Sequence, residues 1–197
     1  MALAWQPSLL GDEPPGFDRG LGGLVRHDLA GGAWYDVVEG WAQGADRLFS
    51  LIADVAPWEG HERWMYDRVV AEPRLTTRLW DDPPDPLPAM AQALSEHYGE
   101  DMMTVSANLY RDGRDSVAWH GDRVGRRRDE TVVAILSLGS PRRFLLRPKG
   151  GGRSLRLTPA AGDLLVLGGT CQRTWEHSVP KVAAAGPRIS VMFREAY

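Results

Sequence analysis

The chain has 197 residues, of which 43% are hydrophobic and 25% are charged, and these values fit one soluble globular domain. The formal net charge of −3 argues against electrostatic binding of nucleic acid by the whole surface. No apolar run is long enough to cross a membrane, and the N-terminus lacks the pattern of a signal peptide. The single cysteine, Cys171, excludes an internal disulfide, and we expect a cytoplasmic protein.

Basic residues are concentrated in one part of the chain. Between Arg111 and Arg156 the sequence places 12 of the 23 lysines and arginines against five acidic residues. Such a local excess can attract phosphates even on an acidic protein. A solvated arginine-rich surface is the simpler interpretation of the same pattern.

The first half of the chain predicts an irregular start followed by helices. Residues 1–32 are rich in Gly and Pro and predict an irregular arm. Ala33–Val38 predicts a strand, and Ala45–Val55 has the apolar spacing of an amphipathic helix. Trp58–Trp80 predicts short strands or hairpins. A second helix is expected over Asp85–Leu94, with Asp85 as its N-cap and Pro86 at its first position.

The second half predicts a β-rich core. Six short β-type runs are punctuated by Gly and Pro, namely Met103–Tyr110, Thr131–Leu138, Arg142–Arg147, Ser154–Leu157, Asp163–Leu167 and Ile189–Phe193. Strands at this spacing without long helices between them favour an antiparallel sandwich or barrel. We therefore predict an α+β fold with a jelly-roll core at 101–197, after an arm at 1–32 and a helical region at 33–100.

Three residues could form a metal site. His120 and Asp122 are two positions apart, so on an extended segment their side chains point to the same side. His177 is a third candidate ligand. Two histidines and one carboxylate on one face of a metal leave its other face open, as in non-haem iron(II) oxygenases. Zinc could use the same ligands, and a surface pair in a loop would also explain His120 and Asp122.

Arg188 and Arg194 suggest an anionic cosubstrate. On a strand these two arginines share one face, while Ile189, Val191 and Phe193 share the other. Guanidinium groups that point inward need anionic partners, and 2-oxoglutarate carries a carboxylate at each end. A solvated edge strand would account for the same pattern. An amide and a phenol at Asn108 and Tyr110 share a strand face as well, and both can hydrogen-bond a keto acid.

The order of these motifs resembles the AlkB family of iron(II)- and 2-oxoglutarate-dependent dioxygenases, which repair alkylated nucleobases. The resemblance runs from about Val105 to the C-terminus. It implies a jelly-roll core of the double-stranded β-helix type with the N-terminal helices packed on one sheet, and it implies the cofactors Fe(II), 2-oxoglutarate and O2. By motif, iron would be bound by His120, Asp122 and His177. The cosubstrate would be bound by Arg188 at its distal carboxylate, by Arg194 near Asp122 and the proximal carboxylate, and by Asn108 and Tyr110.

The resemblance also implies a substrate. Members oxidatively dealkylate nucleobases and release succinate, CO2 and an aldehyde. We expect alkylated single- or double-stranded DNA as partner, with RNA as a second candidate, and a monomeric protein. A base must leave its stack to reach the iron, and this requires a lid and phosphate contacts. The lid for nucleotide recognition would lie within the region 33–100, where its candidates are Trp64, Met65, Tyr66, Arg74 and Trp80. Candidates for phosphate contacts are Arg126, Arg127 and Arg128. Core packing is the alternative explanation for each tryptophan.

Two departures from the family pattern keep other functions open. Ser190 and Met192 stand where members usually have Asn and Thr, and Arg123-Val124-Gly125 follows Asp122 where members often have acidic residues. The first alternative is an oxygenase of the same fold that acts on a small molecule or a methylated protein side chain. The second is a non-enzymatic barrel that binds metal or nucleic acid.

Overall fold

The structure is a computed structural model that describes residues 3, 13–65, 68–122 and 128–195; for 63–65 and 68–71 it describes the backbone alone. Fourteen strands, three α-helices and one short 3-10 helix, Ala30–Gly32, lie within these ranges. The strands are β1 Gly16–Phe17, β2 Val25–Asp28, β3 Ala33–Val38, β4 Ala42–Gln43, β5 Glu59–Met65, β6 Arg68–Thr77, β7 Thr104–Tyr110, β8 Val117–His120, β9 Val133–Gly139, β10 Phe144–Pro148, β11 Leu155–Leu157, β12 Leu164–Gly169, β13 Trp175–Val179 and β14 Arg188–Arg194. The helices are α1 Ala45–Val55, α2 Leu87–Tyr98 and α3 Cys171–Thr174.

Two antiparallel sheets form the core. The large sheet has eight strands in the order β2-β3-β12-β9-β14-β7-β6-β5, and the small sheet has four in the order β11-β10-β13-β8. Apolar side chains from both sheets meet in one buried cluster, which includes Val133 and Leu167 of the large sheet and Phe144 and Leu146 of the small sheet. The sheets therefore face each other, and the predicted jelly-roll core is confirmed.

The helices cover the other face of the large sheet. A second buried cluster joins Leu48 and Ile52 of α1 with Met90 and Leu94 of α2 and with the outward side chains of the central strands. The apolar spacing of Ala45–Val55 produces this arrangement, because residues three and four apart share one helix face. The prediction of helices packed on one sheet is confirmed.

Strand β14 shows how sequence alternation sorts residues between the two clusters. Ile189, Val191 and Phe193 lie in the cluster beneath the helices, each with 0% of its surface exposed. Successive side chains on a strand point to opposite faces, so Arg188 and Arg194 point into the space between the sheets. Strand β14 pairs along its full length with β7 on one side and β9 on the other. Its polar face therefore lies at the centre of the sandwich.

Some local predictions differ from the structure. Helix α2 begins at Leu87 with Pro86 as its N-cap, so the predicted start at Asp85 is wrong. Pro88 occupies the first turn instead, where a proline ring displaces no intrahelical hydrogen bond. The described part of the predicted irregular arm contributes β2, which pairs with β3 at the sheet edge. The domain boundaries at residues 33 and 101 stay predictions. No described helix is long and apolar enough to span a membrane.

Candidate active site

Two neighbouring strands of the small sheet bring the predicted metal ligands together. His120 ends β8, and it is paired directly with His177 of β13, with ring centroids 4.3 Å apart. Asp122 follows β8 by two residues, and its Oδ1 lies 3.6 Å from His120 Nε2 while its Oδ2 lies 4.0 Å from His177 Nε2. One ligand atom from each residue lies within 4.8 Å of the other two. The three side chains converge on one point.

The surroundings of both histidines leave a nitrogen lone pair for a metal. His120 Nδ1 lies 2.8 Å from the carbonyl oxygen of Ala118, and donation to that oxygen places the proton on Nδ1 and frees Nε2. His177 is buried and stacked on Phe144. Burial lowers the pKa of His177 to about 4, although the nearby carboxylate of Asp122 partly offsets this effect. Two imidazoles beside one carboxylate fit a divalent metal ion.

The loop that carries Asp122 packs closely against α3. A Cβ atom on Gly121 would lie 2.6 Å from the main-chain oxygen of Gln172, so no side chain fits there. The main-chain N–H of Asp122 donates to Gln172 Oε1 at 2.7 Å. The glycine between the two ligands is therefore required by the close approach of α3.

Arg188 lies on the facing sheet with 1% of its surface exposed. Its guanidinium donates to Ser137 Oγ at 2.9 Å and also to Ser190 Oγ, while its Nε has no hydrogen-bond partner among the described residues. Burial lowers the pKa of Arg188, since desolvation disfavours the charged form. A buried guanidinium held by two hydroxyls fits the carboxylate of a bound dicarboxylic acid.

Tyr110 connects the arginine side of the site with the metal side. It is paired with Arg188 across β7 and β14, and the Arg188 guanidinium carbon lies 5.5 Å from its ring centroid. Burial raises the pKa of the Tyr110 phenol, the positive charges of Arg188, Arg74 and Arg142 oppose this, and Asp122 adds to it. Tyr110 therefore lies within electrostatic range of both Asp122 and these arginines.

The remaining predicted cosubstrate residues lie on the same face of the large sheet. Asn108 is paired with Ser190, and its amide contacts Met192 Sδ at 3.6 Å. Arg194 is buried at the far end of β14. The structure thus brings Asn108, Tyr110 and Arg188 together, while the contacts of each residue with a cosubstrate stay predictions.

The predicted substrate-binding residues do not all lie on the face of the large sheet that carries the predicted cosubstrate residues. Arg74 lies near the site, with its Nε 3.4 Å from Asn108 Oδ1. Trp80 packs against the cluster beneath the helices, so its position does not support a role in a lid. Arg128 binds Glu100 at 2.6 Å and Glu195 at 3.2 Å, which engages its charge on the protein itself. The structure does not describe Tyr66, Arg126 and Arg127, and it does not describe the side chains of Trp64 and Met65.

A cleft of about 490 Å³ lies beside the β5–β6 hairpin. Its lining residues are Gly60, His61, Glu62, Glu72, Leu75 and Arg111. Contacts lead from this cleft toward the site, since Arg74 lies 3.3 Å from Glu72 and 3.4 Å from Asn108. The side chain of Arg74 thus bridges a residue that lines the cleft and a predicted cosubstrate residue.

Sequence reasoning missed four residues that shape the site. Ser137 accepts a hydrogen bond from Arg188, and the sequence marked it only as part of the predicted strand Thr131–Leu138. Arg142 is buried and donates to three main-chain oxygens, those of Asp112, Asp115 and Pro180. Phe144 stacks on His177, and Gln172 binds the main chain of Asp122. Nothing in the spacing of the sequence marks Arg142, Phe144 or Gln172, because each acts through a contact distant along the chain.

Known proteins show the same motifs and fold. A family model described as the 2OG-Fe(II) oxygenase superfamily matches residues 53–194. Alpha-ketoglutarate-dependent dioxygenase alkB homolog 3 from Bos taurus is 29% identical, over 78% of this chain and 62% of its own. DNA oxidative demethylase ALKBH2 from Arabidopsis thaliana is 33% identical, over 61% of this chain and 46% of its own. The chain therefore spans less than two thirds of the length of either relative.

Solved structures share the architecture at low identity. The structure described as OsALKBH1 has a TM-score of 0.59 and 13% identity, and the match covers 87% of this chain and 100% of that one. A prolyl hydroxylase from Trichoplax adhaerens, solved with a peptide fragment, has a TM-score of 0.59 and 11% identity, with 81% and 83% of the chains covered. At these identities the match supports the fold alone.

Proposed function

Because this chain belongs to the 2OG-Fe(II) oxygenase superfamily, we propose that it oxidatively dealkylates nucleobases in nucleic acid. Membership confirms the predicted cofactors Fe(II), 2-oxoglutarate and O2, and the relatives confirm the resemblance to the AlkB family. The observation that carries the proposal is the pairing of His120 with His177 beside Asp122, opposite a buried Arg188. The names of the two relatives support alkylated nucleic acid as the substrate.

The chain's residues divide the work between the two sheets. His120, Asp122 and His177 would hold iron(II), and Arg188 would hold the far carboxylate of 2-oxoglutarate as a charge-assisted hydrogen-bond donor. When bound, iron(II) and 2-oxoglutarate together use O2 to hydroxylate a substrate carbon, and 2-oxoglutarate becomes succinate and CO2. The protein positions the groups and excludes water, for which the buried positions of His177 and Tyr110 are suited.

We place the alkylated base in the cleft beside the β5–β6 hairpin. Alkylation of a ring nitrogen can leave a base with a positive charge, and the cleft contains two carboxylates, Glu62 and Glu72. The side chain of Glu72 is 10% exposed and is paired with Arg74 at 3.3 Å, so a bound cationic base would share this carboxylate with Arg74. These carboxylates could take the role of the acidic residues that family members often have after the position of Asp122. This chain has Arg123-Val124-Gly125 there instead. DNA and RNA both fit this proposal.

The test measures succinate formed from 2-oxoglutarate under iron(II) and O2. The assay compares a methylated single-stranded oligonucleotide, the same strand without the methyl group, and no strand, with His120→Ala as the inactive control. Succinate and demethylated product that form together on the methylated strand, and disappear in His120→Ala, would support the proposal. Turnover without any response to methylated DNA or RNA would place the substrate among small molecules or protein side chains.

A further inference from the structure

Gln172 is a buried amide placed between the two segments that carry the metal ligands. It lies in α3, five residues before His177, and only 2% of its surface is exposed. Its Oε1 accepts the main-chain N–H of Asp122 at 2.7 Å. The loop after β8 and the turn before β13 are thus joined by one side chain.

The main chain of α3 strengthens this junction. The carbonyl oxygen of Gln172 accepts a hydrogen bond from Lys149 Nζ at 3.1 Å, and it lies 2.6 Å from the position that a Cβ on Gly121 would occupy. The side chain and the main chain of Gln172 thus both touch the Gly121–Asp122 segment. This double contact restricts the position of the Asp122 backbone, from which the carboxylate extends.

The other half of the Gln172 amide, its Nε2, is buried and has no hydrogen-bond partner among the described residues. Buried amide donors normally find acceptors. The Oε1 of the same amide already contacts the main chain of Asp122, whose carboxylate can accept a hydrogen bond. Carboxylates that ligate metals are usually held by such hydrogen bonds.

We propose that Gln172 is a positioning residue for the metal site, which holds the main chain of Asp122 through Oε1 and donates through Nε2 to the Asp122 carboxylate when the metal is bound. The inference rests on the proposed metal site and is independent of the substrate. A glutamine is suited to this position because one neutral amide supplies both an acceptor and a donor.

The experiment measures the affinity of the full-length protein for Mn(II) and the absorption spectrum of its Co(II) form, two metals that stand in for iron(II). Gln172→Met keeps the approximate length of the side chain and removes both hydrogen bonds. We expect Mn(II) affinity to fall by about 10- to 100-fold, with a changed Co(II) spectrum. The matched control is Gln92→Met, since Gln92 is exposed on α2 and donates a hydrogen bond within its helix, to Glu96. Its metal affinity should equal that of the wild type.

The outcomes separate this inference from the proposed function. Unchanged Mn(II) affinity and an unchanged Co(II) spectrum in Gln172→Met would overturn the positioning role and leave the metal site intact. A wild-type protein that binds Mn(II) no better than His120→Ala would refute the metal site itself. If Gln172→Met does not fold, Gln172→Glu keeps the acceptor and the size but replaces the donor. Its Co(II) spectrum should differ from that of the wild type, and an identical spectrum would overturn the inference.

Discussion

Arg188 and Tyr110 lie at paired positions of β14 and β7, with the guanidinium carbon 5.5 Å from the ring centroid. The guanidinium carbon of Arg142 lies 5.9 Å from the same ring centroid. Both arginines are buried, yet their hydrogen-bond partners differ in kind. Hydroxyl groups hold Arg188, whereas main-chain oxygens hold Arg142. This difference predicts that one arginine serves binding and the other serves stability.

Arg188→Met should abolish cosubstrate binding at little cost to folding. The buried charge has no carboxylate partner among the described residues, and Ser137 and Ser190, which are paired across β9 and β14, can hydrogen-bond each other in its absence. We expect the free energy of unfolding of the metal-free protein to stay within about 1 kcal/mol of the wild type, or to rise. Thermal melting with Mn(II), with and without 2-oxoglutarate, should show stabilisation by 2-oxoglutarate in the wild type alone. Equal stabilisation of the variant would contradict the assigned role.

Arg142→Met should instead destabilise the protein. The substitution removes the donor that the carbonyl oxygens of Asp115 and Pro180 have at 2.9 and 2.8 Å. The carbonyl oxygen of Asp112 loses a hydrogen bond at 3.0 Å but keeps the main-chain N–H of Asp115 at 3.3 Å. Loss of the partner of a buried polar atom costs about 1–3 kcal/mol, so we expect a loss of about 2 kcal/mol or more in urea unfolding. Arg143→Met is the matched control, because Arg143 is the exposed neighbour. A variant as stable as this control would show that Arg142 is dispensable for folding.

His177 should make the metal-free protein less stable in acid. Its pKa is about 4 when folded, against an ordinary value of 6.5, so the unfolded chain binds the additional proton between these values. The stabilising contribution is complete above pH 6.5 and is lost as the pH falls to about 4, with a total of about 3 kcal/mol. His177→Leu should lose this part of the pH dependence, while His97→Leu, on the exposed face of α2, should keep it. Parallel pH profiles for the two variants would count against a depressed pKa.

Gly121→Ala should weaken metal binding. The added methyl carbon would lie 2.6 Å from the main-chain oxygen of Gln172, so the loop must shift and carry Asp122 with it. We expect at least a tenfold loss of Mn(II) affinity, since the ligand atoms need their geometry within a few tenths of an ångström. Gly16→Ala is the control, because its nearest contact would be 3.5 Å from a side-chain atom of Gln43. Equal affinity in the two variants would mean that the loop accommodates the methyl group.

The arginine run after Asp122 should divide into two functional parts. Arg128 is engaged by Glu100 and Glu195, so Arg128→Ala should leave the salt dependence of oligonucleotide binding unchanged. If Arg126 and Arg127 contact phosphates, replacing both with alanine should lower the slope of log affinity against log salt by about 1.5. Measuring oligonucleotide binding of the variants at several salt concentrations tests this prediction. A slope that changes with Arg128→Ala alone would reverse the division.

The sequence by itself determined the residues that can perform the chemistry and the faces on which they lie. The alternation of apolar and polar residues in Arg188–Arg194 predicted which side chains point inward, because strand geometry fixes this direction locally. The two-residue spacing of His120 and Asp122 likewise predicted a shared side. The amphipathic spacing of Ala45–Val55 predicted α1 with its bounds.

Only the tertiary structure decided which residues support these groups. Gln172 and Asp122 are 50 residues apart in sequence, and Arg142 meets Pro180 across 38 residues, so no local pattern could reveal either contact. The structure also showed that Trp80 packs beneath the helices and that Arg128 is bound by two glutamates. Hydrogen bonds and packing between distant segments depend on how the sheets are stacked. Local periodicity fixes the direction of a side chain, but it does not encode the partner that the side chain meets.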